Sequence, residues 1–451
     1  MSEYLPQELM IEIFLRLPIK SILRCTSLCK SWYSLLTSPH FISMHLNRKQ
    51  DDHILVRHFS GNPEKEIYSL ICDNENLDQY AQFDLPFNCS DYFFDIVGTC
   101  NGILCLNDEM SFCSVFYLWN PSIGKSVKLP NPTFRADGGF DYKLGFGFDS
   151  ITNDYKVVRV LHTDSGMPPI VELFKLSTGV WEDISYVAPS HIFFCSAPQA
   201  YLNGASHWVA FKLEEGSSRR MIVSFDMHEE TFSVIMLPVS LVNRIPRQCG
   251  VFLFVSGESL CLINYNYDIT NTSDIWMMKE YGEAESWVKQ YNISSHRIPY
   301  EPEGTYSLLK PMVTRKNGEI LWTECDGLLL SVDHENEKIK DLGVCGTTNT
   351  YFLFYDSLYA NCYNESLVLL NKWRDYCAED ACEESFHSWK REPKGGRKKL
   401  LKINAKKRLQ IASLLHINGL LYLSKMKRKW SQRKERKKRQ VKRHPLSIYC
   451  H

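Results

Sequence analysis

The chain has 451 residues, 44% hydrophobic, 23% charged and 13% aromatic, which allows two or three globular domains with a lean towards β-rich structure. Its formal net charge of zero hides an asymmetry: residues 391–451 carry 21 Lys and Arg against 2 Asp and Glu, net +19, and residues 1–390 carry net −19. The start, MSEYLPQE, lacks the basic and apolar regions of a secretory signal, and no uncharged apolar run approaches the roughly 18 residues of a membrane span. No membrane insertion is therefore expected, and the 16 cysteines are expected as reduced thiols in the cytoplasm or nucleus.

The first predicted element runs from Pro6 to Leu17. Pro6 suits the first position of a helix, Glu8 favours its positive end, and Pro18 closes it. Glu8, Glu12 and Arg16 fall four apart and make one polar stripe, while Leu9, Met10, Ile11, Ile13, Phe14 and Leu15 take the remaining circumference. Such a helix needs burial on more than one side. From Ile19 to Leu36, Leu28, Trp32, Leu35 and Leu36 recur at helical spacing and can cover part of it, with Pro39 as a stop. The periodicity leaves two readings open: a helical cap on the downstream domain, or a docking module completed by another protein.

Three runs favour the docking reading: Leu5-Pro6-x-Glu8-Leu9, Leu17-Pro18-x-Lys20-Ser21-x-Leu23-Arg24-Cys25, and Cys29-Lys30-Ser31-Trp32 with Pro39-x-Phe41 beyond it. Together they resemble the F-box motif over its whole length. The resemblance implies a three-helix module, residues 1–45, that docks on a Skp-family adaptor and through it on cullin and RING subunits of a ubiquitin ligase. Carried over by position, Leu5, Pro6, Leu9, Ile13, Leu17, Pro18 and Leu23 are the expected adaptor-binding residues, and Trp32 belongs to the module's own core.

From Ile54 to Asn371 short apolar segments rich in Val, Ile, Phe, Tyr and Trp alternate with Gly, Asn, Asp and Pro, which reads as strands and turns. A strand–turn–strand unit recurs, and its second-strand positions Val127, Trp181, Phe232, Trp287 and Ile339 are spaced 54, 51, 55 and 52 residues apart. A period near 50 with several strands per unit is that of kelch-type propellers. Asn101-Gly102, Asn203-Gly204, Ser256-Gly257 and Asn317-Gly318 add hairpin turns in four units. Five units are clear, an earlier one runs from Ile67 to Pro86, and Tyr351 to Leu370 supplies strands to close the ring. The competing reading is an irregular β-sandwich.

Gly98-Thr99-Cys100-Asn101-Gly102, Leu118-Trp119-Asn120-Pro121, Gly145-Phe146-Gly147-Phe148-Asp149 and Asn153-Asp154-Tyr155-Lys156-Val157-Val158 are similar to the F-box-associated domain. That resemblance implies a substrate-binding part directly behind the F-box, mostly in plant proteins. The expected fold class is thus α+β multidomain: a three-helix F-box, an all-β kelch-like propeller over 46–371, and an acidic-then-basic tail over 372–451, read as disordered.

Catalytic signatures are missing. Gly124-Lys125-Ser126 imitates a phosphate loop, but Trp119 stands where its first glycine belongs; Gly145-Phe146-Gly147 lacks a third glycine and a following helix; His228-Glu229-Glu230 lacks a second histidine at zinc-protease spacing. No catalytic, cofactor-binding or metal-binding residue is therefore expected. The expected function is substrate recognition for an SCF-type ubiquitin ligase, joining the adaptor to an unidentified target protein. Rival readings are a non-degradative scaffold, a nuclear protein binding nucleic acid or another polyanion through Lys425–Arg443, and a galactose-oxidase-like enzyme. Four loops, Thr133–Tyr142, Thr163–Pro169, Tyr265–Ser273 and Ser295–Tyr306, are candidate target contacts, each also readable as plain loop, and no target-binding residue is named.

Overall fold

Four helices open the chain: α1 (Gln7–Leu15), α2 (Ile19–Thr26), α3 (Lys30–Leu36) and α4 (Pro39–Leu46). Pro6 and Pro18 stand at the N-caps of α1 and α2 with extended backbones, each one residue outside its helix. α3 ends at Leu36, ahead of Pro39 as expected, but Pro39 also starts a fourth helix, so the expected three-helix module has four. The Ser38 hydroxyl accepts the Phe41 amide at 3.2 Å, and proline at the first helical position sacrifices no backbone bond. Phe14, Leu15, Ile19, Ile22, Leu36 and Phe41 form the buried core of this head, with Trp32 edge-on to Phe14 at 5.0 Å. Each such side chain contributes about 1.5–3 kcal/mol by leaving water. Leu28 does not join them: it lies between α2 and α3, out of helical phase, and is 68% exposed.

The computed structural model describes residues 6–48, 53–60, 65–87, 94–108, 115–134, 141–162, 168–189, 192–194, 199–214, 217–242, 251–266, 272–294, 310–323, 328–336, 338–346 and 358–369. The predicted tail over 372–451 lies outside them.

Behind the head come six antiparallel sheets in sequence, the blades of a propeller and not the two layers of a sandwich. The first blade holds β1 (His53–Ser60), β2 (Lys65–Cys72) and β3 (Gln79–Phe83). The second holds β4 (Asp95–Cys100), β5 (Ile103–Asp108), β6 (Val115–Asn120) and β7 (Lys125–Lys128). The third has β8 (Asp141–Asp149), β9 (Asp154–His162), β10 (Ile170–Lys175) and β11 (Val180–Asp183). The fourth has β12 (Ile192–Phe194) and β13 (Ala200–Leu202), both paired to β14 (Ala205–Glu214), then β15 (Ser217–Asp226) and β16 (Phe232–Met236). The fifth runs β17 (Val251–Ser256), β18 (Ser259–Asn266), β19 (Thr272–Met278) and β20 (Trp287–Ser294). The sixth runs β21 (Lys310–Thr314), β22 (Ile320–Thr323), β23 (Leu328–Asp333) and β24 (Lys338–Cys345).

The ring closes where the sequence placed the closure. β25 (Tyr359–Tyr363) pairs antiparallel with β1, Tyr363 opposite His53, and supplies the first blade's missing strand. The earlier, weaker unit is therefore a full blade, and the count is six. All five periodic positions, Val127, Trp181, Phe232, Trp287 and Ile339, fall on the last strand of blades two to six. The four hairpin signals fall in the turns β4–β5, β13–β14, β17–β18 and β21–β22 of blades two, four, five and six. Asn101 and Gly102 take φ of 52° and 73° in a two-residue loop, the backbone such a tight turn requires.

Each blade is buried on both faces, as the third shows. On β9, Tyr155 and Val157 pack towards the second blade, while Val158 and Val160 pack towards the fourth. Gly147 on β8 permits the closest approach: a Cβ there would lie 2.2 Å from the Tyr201 ring. That approach lets the Tyr201 hydroxyl reach the Phe148 backbone, accepting its amide at 2.9 Å and donating to its carbonyl at 2.8 Å. Gln199 does the same for Phe146, at 3.0 and 2.9 Å. Side chains of the fourth blade thus satisfy the otherwise unpaired edge of the third.

Candidate protein-docking surfaces

The head buries one side and leaves another open. Leu9 and Ile13, one turn apart on α1, are 51% and 50% exposed, whereas Phe14 and Leu15 on the other side of the same helix are buried. Pro6 and Pro18 flank the open strip and are exposed. Glu12 and Arg16 pair across a helical turn at 3.6 Å at the surface. Tyr33 on α3 and Leu28 before it also lie open. Of the predicted docking residues, the structure brings Pro6, Leu9, Ile13 and Pro18 to the surface of one small unit. Leu17 and Leu23 are half-buried against the head's own core, and Leu5 lies outside the described residues.

Sequence reasoning missed Leu28 and Tyr33 as exposed apolar groups. Helical spacing had turned Leu28 inward, but Cys29 caps α3 in an extended conformation and breaks that phase. The Cys29 thiol is exposed and lies 3.2 Å from the Ser31 hydroxyl. That hydrogen bond, with the Trp32 backbone, holds its pKa below the ordinary thiol value.

The buried side of the head faces the propeller. Leu367, which follows β25, completes the core of Phe14, Ile19, Ile22 and Phe41, and Ile123 packs at its margin. Ile42 and Leu46 of α4 pack on the second- and third-blade core. The cap reading and the docking reading thus describe opposite sides of one unit.

This contact fixes which end of the ring the head occupies. Ile123 lies in the hairpin between β6 and β7, and β25 ends beside the start of β1. Hairpins joining first to second and third to fourth strands share that end. Second-to-third connections and the crossings between blades leave from the other end, because neighbouring strands are antiparallel. All four predicted target loops join strand ends at this far face. Residues 295–306 and the central parts of the other three lie outside the described residues. Among described residues, Tyr186 and Val239 follow β11 and β16 at this end and are 85% and 88% exposed. In the third blade Arg159 pairs with Glu172 at 2.7 Å with both side chains buried, and Glu172 accepts the Thr133 and Phe134 amides at 2.8 and 3.0 Å. One root of the first loop is thereby fixed to the scaffold.

Ionisable groups elsewhere are built for structure. Burial pushes the Cys100 and Cys261 thiols up to about 12 and the His207 imidazole down to about 4. His207 meets the Tyr281 hydroxyl at 2.7 Å and the Ala200 carbonyl at 3.0 Å. Among the described residues no group of three or more His, Cys, Asp or Glu is placed to hold a metal ion.

Comparison with known proteins places these features. A family described as the F-box domain matches residues 3–44, and one described as the F-box associated beta propeller domain matches residues 61–319. The Arabidopsis thaliana protein "F-box protein At3g07870" is 30% identical over 390 residues, covering 77% of this chain and 89% of that protein. "F-box protein CPR1" of the same plant is 28% identical over 387 residues, covering 79% and 89%. "F-box/kelch-repeat protein At3g23880" is 28% identical over 306 residues, covering 64% and 79%. The observed ring extends beyond the matched span on both sides, from His53 to Tyr363.

Proposed function

The chain belongs to the F-box proteins that carry an F-box associated β-propeller, and from that premise we propose that it is the substrate receptor of an SCF-type ubiquitin ligase. The head takes a Skp-family adaptor, and cullin and RING subunits follow through the adaptor. The far face of the propeller takes the target protein. The rate then comes from raising the target's effective concentration near the ubiquitin-loaded enzyme, and no bond chemistry is asked of this chain. Its place of work is the cytoplasm or nucleus.

The observation that carries this reading is the open strip of Pro6, Leu9, Ile13 and Pro18 on a unit whose other side is already buried. A standard docking interface buries about 1,600 Å² in total, and apolar side chains left half in water are what such an interface covers. Purified full-length chain should retain a Skp-family adaptor, and Pro6→Ala with Leu9→Ala should lose it while the β-sheet circular dichroism stays unchanged. Equal retention by that variant would remove the basis of the proposal. A scaffold without a degradative role is separated by target half-life, which shortens with the head present only if the ligase reading holds.

A further inference from the structure

The head and the end of the ring share one core. Leu367 is fully buried among Phe14, Leu15, Ile19, Ile22, Leu36 and Phe41, although it lies only four residues beyond β25. Val368 and Leu369 turn the other way, into the core of blades two and three, where Ile42 and Leu46 of α4 also pack. Residues 364–369 therefore form a strap with one face in each body.

A buried amide ties the strap to the second blade. Asn120 Nδ2 donates to the Ser366 and Val368 carbonyls, both at 2.9 Å, and lies 3.1 Å from the Ser366 hydroxyl. Its Oδ1 accepts the Ser122 amide at 3.0 Å. Tyr363, the last residue of β25, donates to the Gly102 carbonyl at 3.0 Å and lies 2.9 Å from the Ser122 hydroxyl. Gly102 has room for nothing larger, since a Cβ would stand 2.5 Å from the Asn364 carbonyl oxygen. β25, paired against β1, delivers the chain to this point, and the Asn120 amide then fixes the residues on either side of Leu367.

A helical unit of roughly 40 residues buries too little apolar surface to be secure alone and needs a staple. Here the staple is the strap that follows the closing strand β25. We infer that the head is held in its docking-competent form by closure of the ring, so that β25 and the strap behind it license adaptor capture. A chain whose last strand has not docked offers the adaptor a loosened head. The consequence for capture rests on the receptor reading above; the coupling of head to ring does not.

Hydrogen exchange on the full-length chain tests the coupling without any adaptor. Asn120→Ala loosens the strap from a position outside the head, and Leu367→Ala removes its contribution to the head core. Both should speed exchange of amides in α2 and α3 by about tenfold or more, the loss expected from a buried hydrogen bond or methyl cluster, while amides of β15 and β18 keep their protection. Reciprocity requires the converse: Leu36→Ala, within the head, should speed exchange of the Tyr359–Tyr363 amides. Unchanged α2 and α3 exchange in both strap variants, or unchanged β25 exchange in Leu36→Ala, overturns the inference. Adaptor affinity follows the fraction of heads that stay closed, so the double variant Asn120→Ala with Leu367→Ala should lose affinity severalfold once protection of α2 and α3 is abolished. Full affinity alongside lost protection refutes the licensing step and leaves the receptor reading standing, whereas absence of capture by the unaltered chain refutes that reading alone, exchange still deciding the coupling.

Discussion

Lys156 Nζ lies 3.0 Å from Asp149 Oδ2 and 2.8 Å from Glu230 Oε1, so one buried ammonium joins the third blade to the fourth. The same nitrogen donates to the Met227 carbonyl at 2.5 Å, and Glu230 also pairs with Lys175 at 3.0 Å. The Asn-Asp-Tyr-Lys run therefore acts as a clasp between blades at the head's end of the ring. Burial works against the charge of Asp149, but hydrogen bonds from Thr152, Lys156 and His228 more than offset it and hold the carboxyl well below the usual carboxylate range.

Replacing Lys156 with Met should cost about 3–5 kcal/mol, because it leaves the buried Asp149 carboxylate without its cation. Urea unfolding at neutral pH measures it. Asp149→Asn with Lys156→Met together should recover part of the loss, since no unpaired charge then remains.

The fold should weaken in mild acid. His207 is neutral inside, with its pKa lowered to about 4 by burial, and accepts a proton near 6.5 once unfolded. The unfolded state therefore binds more protons between those values, and stability falls as pH drops from about 6.5 towards 4, by on the order of 3 kcal/mol for this one group. Asp149 acts in the same direction at lower pH, its contribution present above the ordinary carboxylate pKa and lost as pH falls through the folded value. Comparing urea midpoints at pH 7 and pH 5 for the native chain and His207→Gln checks this, with a smaller pH effect expected in the variant.

On the docking strip, Leu9→Ala with Ile13→Ala should weaken adaptor binding by about ten- to a hundredfold, the range for half-exposed apolar anchors buried on association. Isothermal titration with a Skp-family adaptor measures it. Val180→Ala, exposed on the outer strand β11, serves as the control and should leave the affinity unchanged.

Between blades three and four, Gly147→Ala should destabilise by about 1–3 kcal/mol through overpacking against Tyr201, visible as a lower Tm. Adding Tyr201→Ala should relieve the clash without restoring the native midpoint, since the Phe148 backbone loses its partner.

Much of this was legible in the chain itself. The spacing of Val127, Trp181, Phe232, Trp287 and Ile339 marks the outer strand of five blades, because each blade repeats one strand-and-turn pattern of nearly fixed length. The first blade was harder to see because it is split between the two ends of the chain, and no local pattern records that β25 belongs with β1. Pro39 marked the end of α3 but hid the start of α4, because a proline that cannot continue a helix is equally suited to begin one, and the deciding Ser38 cap is a matter of geometry. Leu28 misled because periodicity assumes an unbroken helix.

Local order alone determined the F-box motif, the strands and the turns, since propensity, capping and period-two burial act between near neighbours. Tertiary structure decided which side of α1 stays open, and it set the head at the end of the ring away from the predicted target loops. It also seated Leu367 in the head's core. Those outcomes depend on contacts between residues hundreds of positions apart, and only the closed ring brings such residues together.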